Sequence, residues 1–132
     1  MSGSDLVPKA EALLGFARRA GRLAIGSSAI EASLRKRRCR LLIFAQDASR
    51  WTVRHLASQA FRAGVPVVAF STRNRLGQIL GRGLVAAIGV DDPQFAASLR
   101  DTLASIPDAR RISEEELFPR SRKPRRGRQG AK

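Results

Sequence analysis

Residues 13–26, LLGFARRAGRLAIG, set Arg18, Arg19 and Arg22 just before a Gly26-Ser27-Ser28 segment start. A helix ending in arginines holds guanidinium groups at its negative pole, and a helix opening at Gly26 turns unpaired backbone N–H groups outward. Both hold anions, phosphate suits both, and together they would form one anion-facing edge. Groups for bond-making chemistry are sparse, since Cys39 is the only cysteine and His55 the only histidine. One thiol and one imidazole exclude an internal disulfide and multi-thiolate or imidazole-rich metal sites. Cys39 reads as a buried strand residue, His55 lies inside a helical stretch, and Asp91-Asp92 reads as a turn and cap. No Ser-His-acid triad, carboxylate pair or Walker-type or dinucleotide-binding glycine pattern is suggested. The chain is expected to be no enzyme and to need no metal, cofactor or small-molecule substrate.

Charge points the same way. The 25 basic residues outnumber the 11 acidic ones, for a net charge of +14 and a sequence pI of about 11.8. Such a chain repels itself unless a polyanion is near, so nucleic acid is the first partner to expect. No apolar run is long enough to span a bilayer, and the N-terminus MSGSDLVPKAEALL lacks a secretory pattern, so no membrane contact and a cytoplasmic address are expected. Aromatic residues are only 5% of the chain, and Phe16, Phe44, Phe61, Phe70 and Phe95 all fall on core-facing patterns, so platforms for stacking bases are few. Trp51, at a helix start, reads as packing or capping, with base stacking as the alternative.

The elements that must position these groups follow from apolar periodicity. Lys9–Ala20 reads as an amphipathic helix with Leu13, Phe16 and Ala17 inward, ended at Gly21 and followed by the short strand Leu23–Ile25. Ser28 with Glu31 fits a capping box for a helix reaching about Arg37. The run 41–45, LLIFA, predicts a strand covered on both faces, and Asp47-Ala48-Ser49 caps a helix over Arg50–Ala63. A strand over Val65–Phe70, a helix over Asn74–Leu80, a Gly81-Arg82-Gly83 connection and a strand over Leu84–Val90 follow. Asp92-Pro93 then opens a helix to about Leu103. This alternation predicts an α/β class, a three-layer α/β/α sandwich around one small mixed sheet. Residues 1–8 are expected to be a flexible N-terminus, 9–104 the domain, 105–119 a linker and 120–132 a disordered basic tail. In that tail Arg120, Arg122, Lys123, Arg125, Arg126 and Arg128 each have the charge to neutralise a phosphate.

Leu14-Gly15-x-Ala17-Arg18-Arg19-Ala20-Gly21-Arg22-Leu23, then Gly26, the run 41–49, Val65-Pro66-Val67, Leu76-Gly77 and Leu80-Gly81 carry a resemblance. In this order, over about Leu13 to Leu103, the chain resembles the YlxQ-like bacterial members of the L-seven-Ae and L-thirty-e ribosomal protein superfamily. The resemblance implies the three-layer sandwich and binding of kink-turn RNA by the start of the second helix and the loop before the last strand. On this chain those places are Gly26, Ser27, Ser28, Ala29 and Ala32, and Gly81, Arg82, Gly83, Leu84 and Val85. The glycines of 81–83 would let the loop fit against a nucleic-acid backbone with Leu84 or Val85 stacking on a base; a helix C-cap and connector is the alternative. The family's archetypal recognition run is Gly-X-Asn-Glu with a Lys three residues on, and Ser28, Ala29 and Ala32 stand at the Asn, Glu and Lys positions. Ala29 has no carboxylate to take a guanine N–H, so contact is expected mainly with backbone. Arg35, Arg38 and Arg40 stand where the family carries basic residues that touch RNA backbone, a solvated helix end being the alternative, and Arg22 joins the expected RNA-binding residues from the anion-facing edge. The implied partner is ribosomal or other structured RNA, with the ribosome among the candidates, in translation or transcription termination. Two alternatives stay open: a general nucleic-acid binder that accepts DNA without regard to shape, and a protein-interaction module of the ribosomal fold.

Overall fold

The computed structural model describes residues 3–119. Six helices and five strands follow one another as α1 (Gly3–Arg19), β1 (Leu23–Ile25), α2 (Ser27–Arg35), β2 (Leu41–Phe44), α3 (Arg50–Arg62), β3 (Val67–Ala69), α4 (Arg73–Leu80), β4 (Ala87–Val90), α5 (Pro93–Ala104), β5 (Arg110–Ile112) and α6 (Glu114–Leu117). The strands form one sheet in the order β1-β4-β2-β3-β5. Only β2 and β3 run parallel; the other neighbours are antiparallel, so the sheet is mixed.

Strand residues alternate between two apolar layers because successive side chains leave opposite faces. Leu41, Ile43, Val68, Ile88 and Val90 face Leu14, Leu76, Leu80 and Leu99 of α1, α4 and α5. Leu42, Phe44, Val67 and Ala87 face Ile30, Leu34, Leu56 and Ala60 of α2 and α3. The helices therefore cover both faces, giving the three-layer α/β/α sandwich. All four residues of β2 are buried, as their unbroken apolar character requires.

Several local expectations are corrected. α1 begins at Gly3 rather than Lys9 and runs through Pro8, because Leu6 and Val7 pack against the core shared with α5. Phe16 is not inward but 52% exposed: the buried stripe is Ala10, Leu14 and Ala17, and the Phe16 ring lies outside it beneath Arg19, 4.9 Å from the guanidinium carbon. α2 ends at Arg35, short of Arg37, and β3 and β4 are shorter than their apolar runs. Residues 105–119, expected to be a linker, carry β5 on the sheet edge beside β3 and the short α6. Ser113 and Glu116 form the reciprocal capping box that opens α6. The proposed tail, 120–132, lies outside the described residues. Among the described residues no helix is long and apolar enough to cross a membrane.

Gly77, on the buried side of α4, lets the chain at Gly83 come against the helix: a Cβ there would stand 1.7 Å from the Gly83 carbonyl oxygen. Backbone cannot yield as a side-chain tip can, so Gly77→Ala is expected to lower unfolding free energy by about 1–3 kcal/mol or more, read from urea denaturation. An unchanged midpoint would place the 81–86 loop elsewhere. Cys39 is buried just before β2, its Sγ donating to the Leu41 carbonyl at 3.4 Å, and burial pushes its thiol up to about 11. Cys39 is expected to resist iodoacetamide at pH 8 while the protein is folded and to react on unfolding. Because the folded thiol keeps its proton longer than the unfolded one, its contribution to stability is present below about pH 9 and is lost as pH rises through about 11.

Candidate nucleic-acid interface

Strand register divides the sheet into two ends. Ile25 pairs with Ile88, Phe44 with Ala87, and Phe44 with Ala69, so β1, β2 and β3 all finish where β4 begins. From that edge the chain enters α2, α3 and α4, whose N-termini thus share one rim with the 81–86 loop. None of the three has an acidic residue in its first turn. Their positive poles are left largely for something outside the helix to neutralise.

The three openings differ in one respect. Ser49 Oγ accepts from the Thr52 N–H and Thr72 Oγ1 from the Arg75 N–H, each at 3.1 Å, so α3 and α4 are capped by side chains. Asp47, next to them, accepts from the Arg73 N–H at 2.8 Å and pairs with its guanidinium at 3.4 Å. These bonds, the backbone N–H of Arg73 first, hold the Asp47 carboxyl below the usual carboxylate range. α2 has no side-chain cap: its N-cap is Gly26 at φ 92°, a conformation glycine takes without strain, and glycine has no group to cap with. The expected capping box on Ser28 does not form, because Ser28 already lies inside the helix and Glu31 turns to α3. The Gly26 N–H bonds the Ala87 carbonyl at 3.4 Å, tying the start of α2 to the start of β4. The Ser27, Ser28 and Ala29 N–H groups precede the first intrahelical bond, Ile30 N–H to the Gly26 carbonyl, and these residues are exposed.

The 81–86 loop is pinned from three sides: Arg82 N–H to the Gly77 carbonyl at 2.7 Å, Val85 N–H to the Arg73 carbonyl at 3.1 Å, and Ala45 N–H to the Ala86 carbonyl at 2.9 Å. Val85 is 4% exposed and Leu84 is 66% exposed. Leu84 therefore presents a free apolar face, and the expectation that Val85 could stack on a base equally is corrected by its burial in the core. Arg82 and Gly83 are exposed beside it, and the Arg18 guanidinium reaches within 3.9 Å of the position a Cβ on Gly81 would take.

Trp51 is a further rim group, neither packed away nor a cap. α2 and α3 run side by side in the same direction, since Glu31 meets His55 at 3.1 Å and Gln59 at 2.9 Å, while Leu34 and Arg35 share a cleft with Arg62 and Ala63. One turn before that contact stand Ser27 and Trp51. The Trp51 indole is 69% exposed and lies flat on the His55 ring, centroids 4.7 Å apart. Glu31 fixes His55 from behind, and the Gln59 hydrogen bond, with His55, holds its carboxyl below the usual range. The i, i+4 spacing of Trp51 and His55 on a helix was the available signal in the sequence.

The expected single edge is divided. Gly26, Ser27, Ser28 and Ala29 come together with Gly81, Arg82, Gly83 and Leu84, with Ala32 half-buried one turn along α2. Arg22 and Arg40 lie at the other end of the sheet, where the Asp91 N–H meets the Arg22 carbonyl at 2.8 Å and the Arg40 N–H meets the Val90 carbonyl at 2.7 Å. Arg35 and Arg38, at and just past the C-terminus of α2, belong to that far end too. The separation follows from β1, whose residues 23–25 carry the chain from one end to the other.

Comparison with known proteins places this arrangement. Residues 8–100 match the model of the ribosomal protein L7Ae/L30e/S12e/Gadd45 family. The chain is 29% identical over 99 residues to the RNA-binding protein YlxQ of Bacillus subtilis (strain 168), covering 75% of this chain and 95% of that one. A solved structure from Bacillus halodurans, described as a protein with unknown function, superposes with a TM-score of 0.68 at 29% identity, covering 71% of this chain and 95% of that one. With strands β1 to β4, helices α2 to α4 and the uncapped start of α2 falling inside the matched residues, the chain belongs to the ribosomal protein L7Ae/L30e/S12e/Gadd45 family.

Proposed function

We propose that this protein is a non-catalytic RNA-binding protein that recognises structured RNA, of the kink-turn or ribosomal kind, through the rim where α2, α3 and α4 open. The observation that carries this reading is the uncapped start of α2: three outward N–H groups at a positive helix pole, locked beside the 81–86 loop by the Gly26–Ala87 bond. A phosphate seated there would take the Ser27–Ala29 N–H groups and the Ser28 hydroxyl, with Arg82 supplying charge from the loop. Leu84 and the Trp51–His55 stack stand on the same rim and offer apolar faces to unstacked bases.

Discrimination would come from shape. Ala29 and Ala32 offer no polar side-chain atom to a base edge, so the rim favours RNA whose bent backbone brings phosphates and flipped bases together. The relative named an RNA-binding protein supports RNA as the partner. A place in translation or transcription termination, with the ribosome among the partners, belongs to this proposal on the strength of the family. The basic residues of 120–132 would add phosphate contacts without shape preference.

Filter binding at several salt concentrations, with a kink-turn RNA, a plain RNA duplex and a DNA duplex, tests the proposal. The kink-turn is expected to bind tightest; equal affinity for all three would favour a general polyanion binder, and salt-insensitive binding to protein alone an interaction module. Trp51→Ala is expected to cost about 1–3 kcal/mol of kink-turn affinity if a base stacks there. Deleting 120–132 is expected to lower the magnitude of the salt slope by about 5 to 6 for its seven cations.

A further inference from the structure

At the end of the sheet away from that rim, α2 and α3 finish side by side around a cleft of about 430 Å³. Arg35, Arg37, Arg40 and Arg62 line it, with Gln59 between them, and among the described residues no carboxylate does. Two acids stand near the cleft without pairing to its arginines: Glu31 accepts from the lining Gln59 and meets His55, with Arg35 close enough to favour its charge, and Asp91 accepts from the Ser33 hydroxyl at 2.6 Å. The ion pairs among the described residues are Glu31–His55, Asp47–Arg73, Glu11–Arg75 and Glu116–Arg110, so none neutralises the four guanidinium groups. A second hollow shares Arg40 with the first and continues to Arg100 on α5, which turns the cleft into a track. A track of spaced cations suits a repeating anion better than a single one.

Arg37 supplies an independent observation. α1, α3 and α4 end in the same doubly bonded turn, with Gly21, Gly64 and Gly81 at its left-handed position, φ 69–73°. α2 ends in that turn too, Arg37 N–H to the Leu34 carbonyl at 3.1 Å and Arg38 N–H to the Ser33 carbonyl at 2.9 Å. Yet its left-handed position holds an arginine at φ 59°. A Cβ in that conformation meets a steric cost that glycine avoids; among the described residues only Ser71, at φ 67°, shares it, and of the four helix ends closed by this turn only that of α2 bears it, adding a fourth cation to a cleft that already repels itself. Non-glycine residues held in this conformation cluster at ligand-binding sites, and this one stands beside charge that no ion pair neutralises.

We propose that this arginine track is a second seat for RNA backbone, separate from the rim, and that Arg37 is held in its left-handed turn to serve it. The inference rests on the RNA-binding reading above and extends it: the protein grips two segments of a folded RNA, one at each end of its sheet. The two grips are about as far apart as the strands are long.

The test uses the full chain and a kink-turn RNA with a long flanking duplex. Arg35→Gln/Arg40→Gln/Arg62→Gln is expected to lower the magnitude of the salt slope by about 2 to 3, at 0.7–0.9 per lost phosphate contact. Equal charge removal at Lys9, Arg19 and Arg54 is expected to change it by less than about one contact. Arg37→Gly is expected to raise the melting temperature by a few degrees while weakening RNA binding several-fold. A cleft variant with the wild-type slope, a control triple that lowers the slope equally, or an Arg37→Gly protein that melts no higher or binds as tightly as wild type overturns the proposal. Ser28→Glu, on the rim, separates the two ideas: if it weakens binding while the cleft variant does not, the second seat alone fails. If the wild-type chain binds no RNA, the underlying reading fails with it.

Discussion

The antiparallel pairing of β4 with both β1 and β2 is the constraint on which everything else depends. It makes the start of β4 the neighbour of the ends of β1 and β2, so the 81–86 loop must emerge beside the helices that follow those strands. The Gly26–Ala87 hydrogen bond is the last rung of that pairing and the first fixed point of α2. Had β4 run the other way, the loop would lie among the arginines beyond α2, and the uncapped helix start would face solvent alone. Burial of β2 on both faces locks the register, because a slip by one residue would exchange the side chains of the two layers.

Charge is distributed to match. A net charge of +14 costs stability through self-repulsion, and the fold relieves little of it internally. The rim contributes mainly dipolar charge, from backbone N–H groups whose geometry is set by helix and sheet. The far end contributes full cations on long side chains beside the C-termini of α2 and α3, where the helix poles partly offset their repulsion. A rigid dipolar site reads shape, whereas a flexible cationic one adds attraction with little discrimination.

Much of the fold was legible because its elements obey local rules. The doubly buried β2, the Ser49 and Asp92 caps and the glycine-ended helices are each dictated within a few residues. What escaped the sequence depends on distant partners. Ser28 and Glu31 have the spacing of a capping box, but Glu31 is claimed by His55 and Gln59 of α3, which no local rule foresees. Phe16 looks inward by hydrophobicity, yet the angle of α1 to the sheet chooses the Ala10, Leu14 and Ala17 stripe. Arg110-Arg111-Ile112 is too polar to announce a strand, and pairing with β3 makes it one. The site divides likewise: Gly26, Ser27 and Ser28 were visible as an anion-binding helix start and Arg82 through the family resemblance, whereas the assignment of Arg22, Arg35, Arg38 and Arg40 to the other end needed the register of β1.

The central claim is that the open N–H groups at the start of α2 and the adjoining loop meet RNA together. Amide chemical-shift mapping on the isotope-labelled full chain, titrated with a kink-turn RNA, measures this residue by residue. The largest shifts are expected at Ser27, Ser28 and Ala29 together with Arg82, Gly83 and Leu84. Shifts confined to β5 and α6, with the start of α2 unmoved, would contradict it.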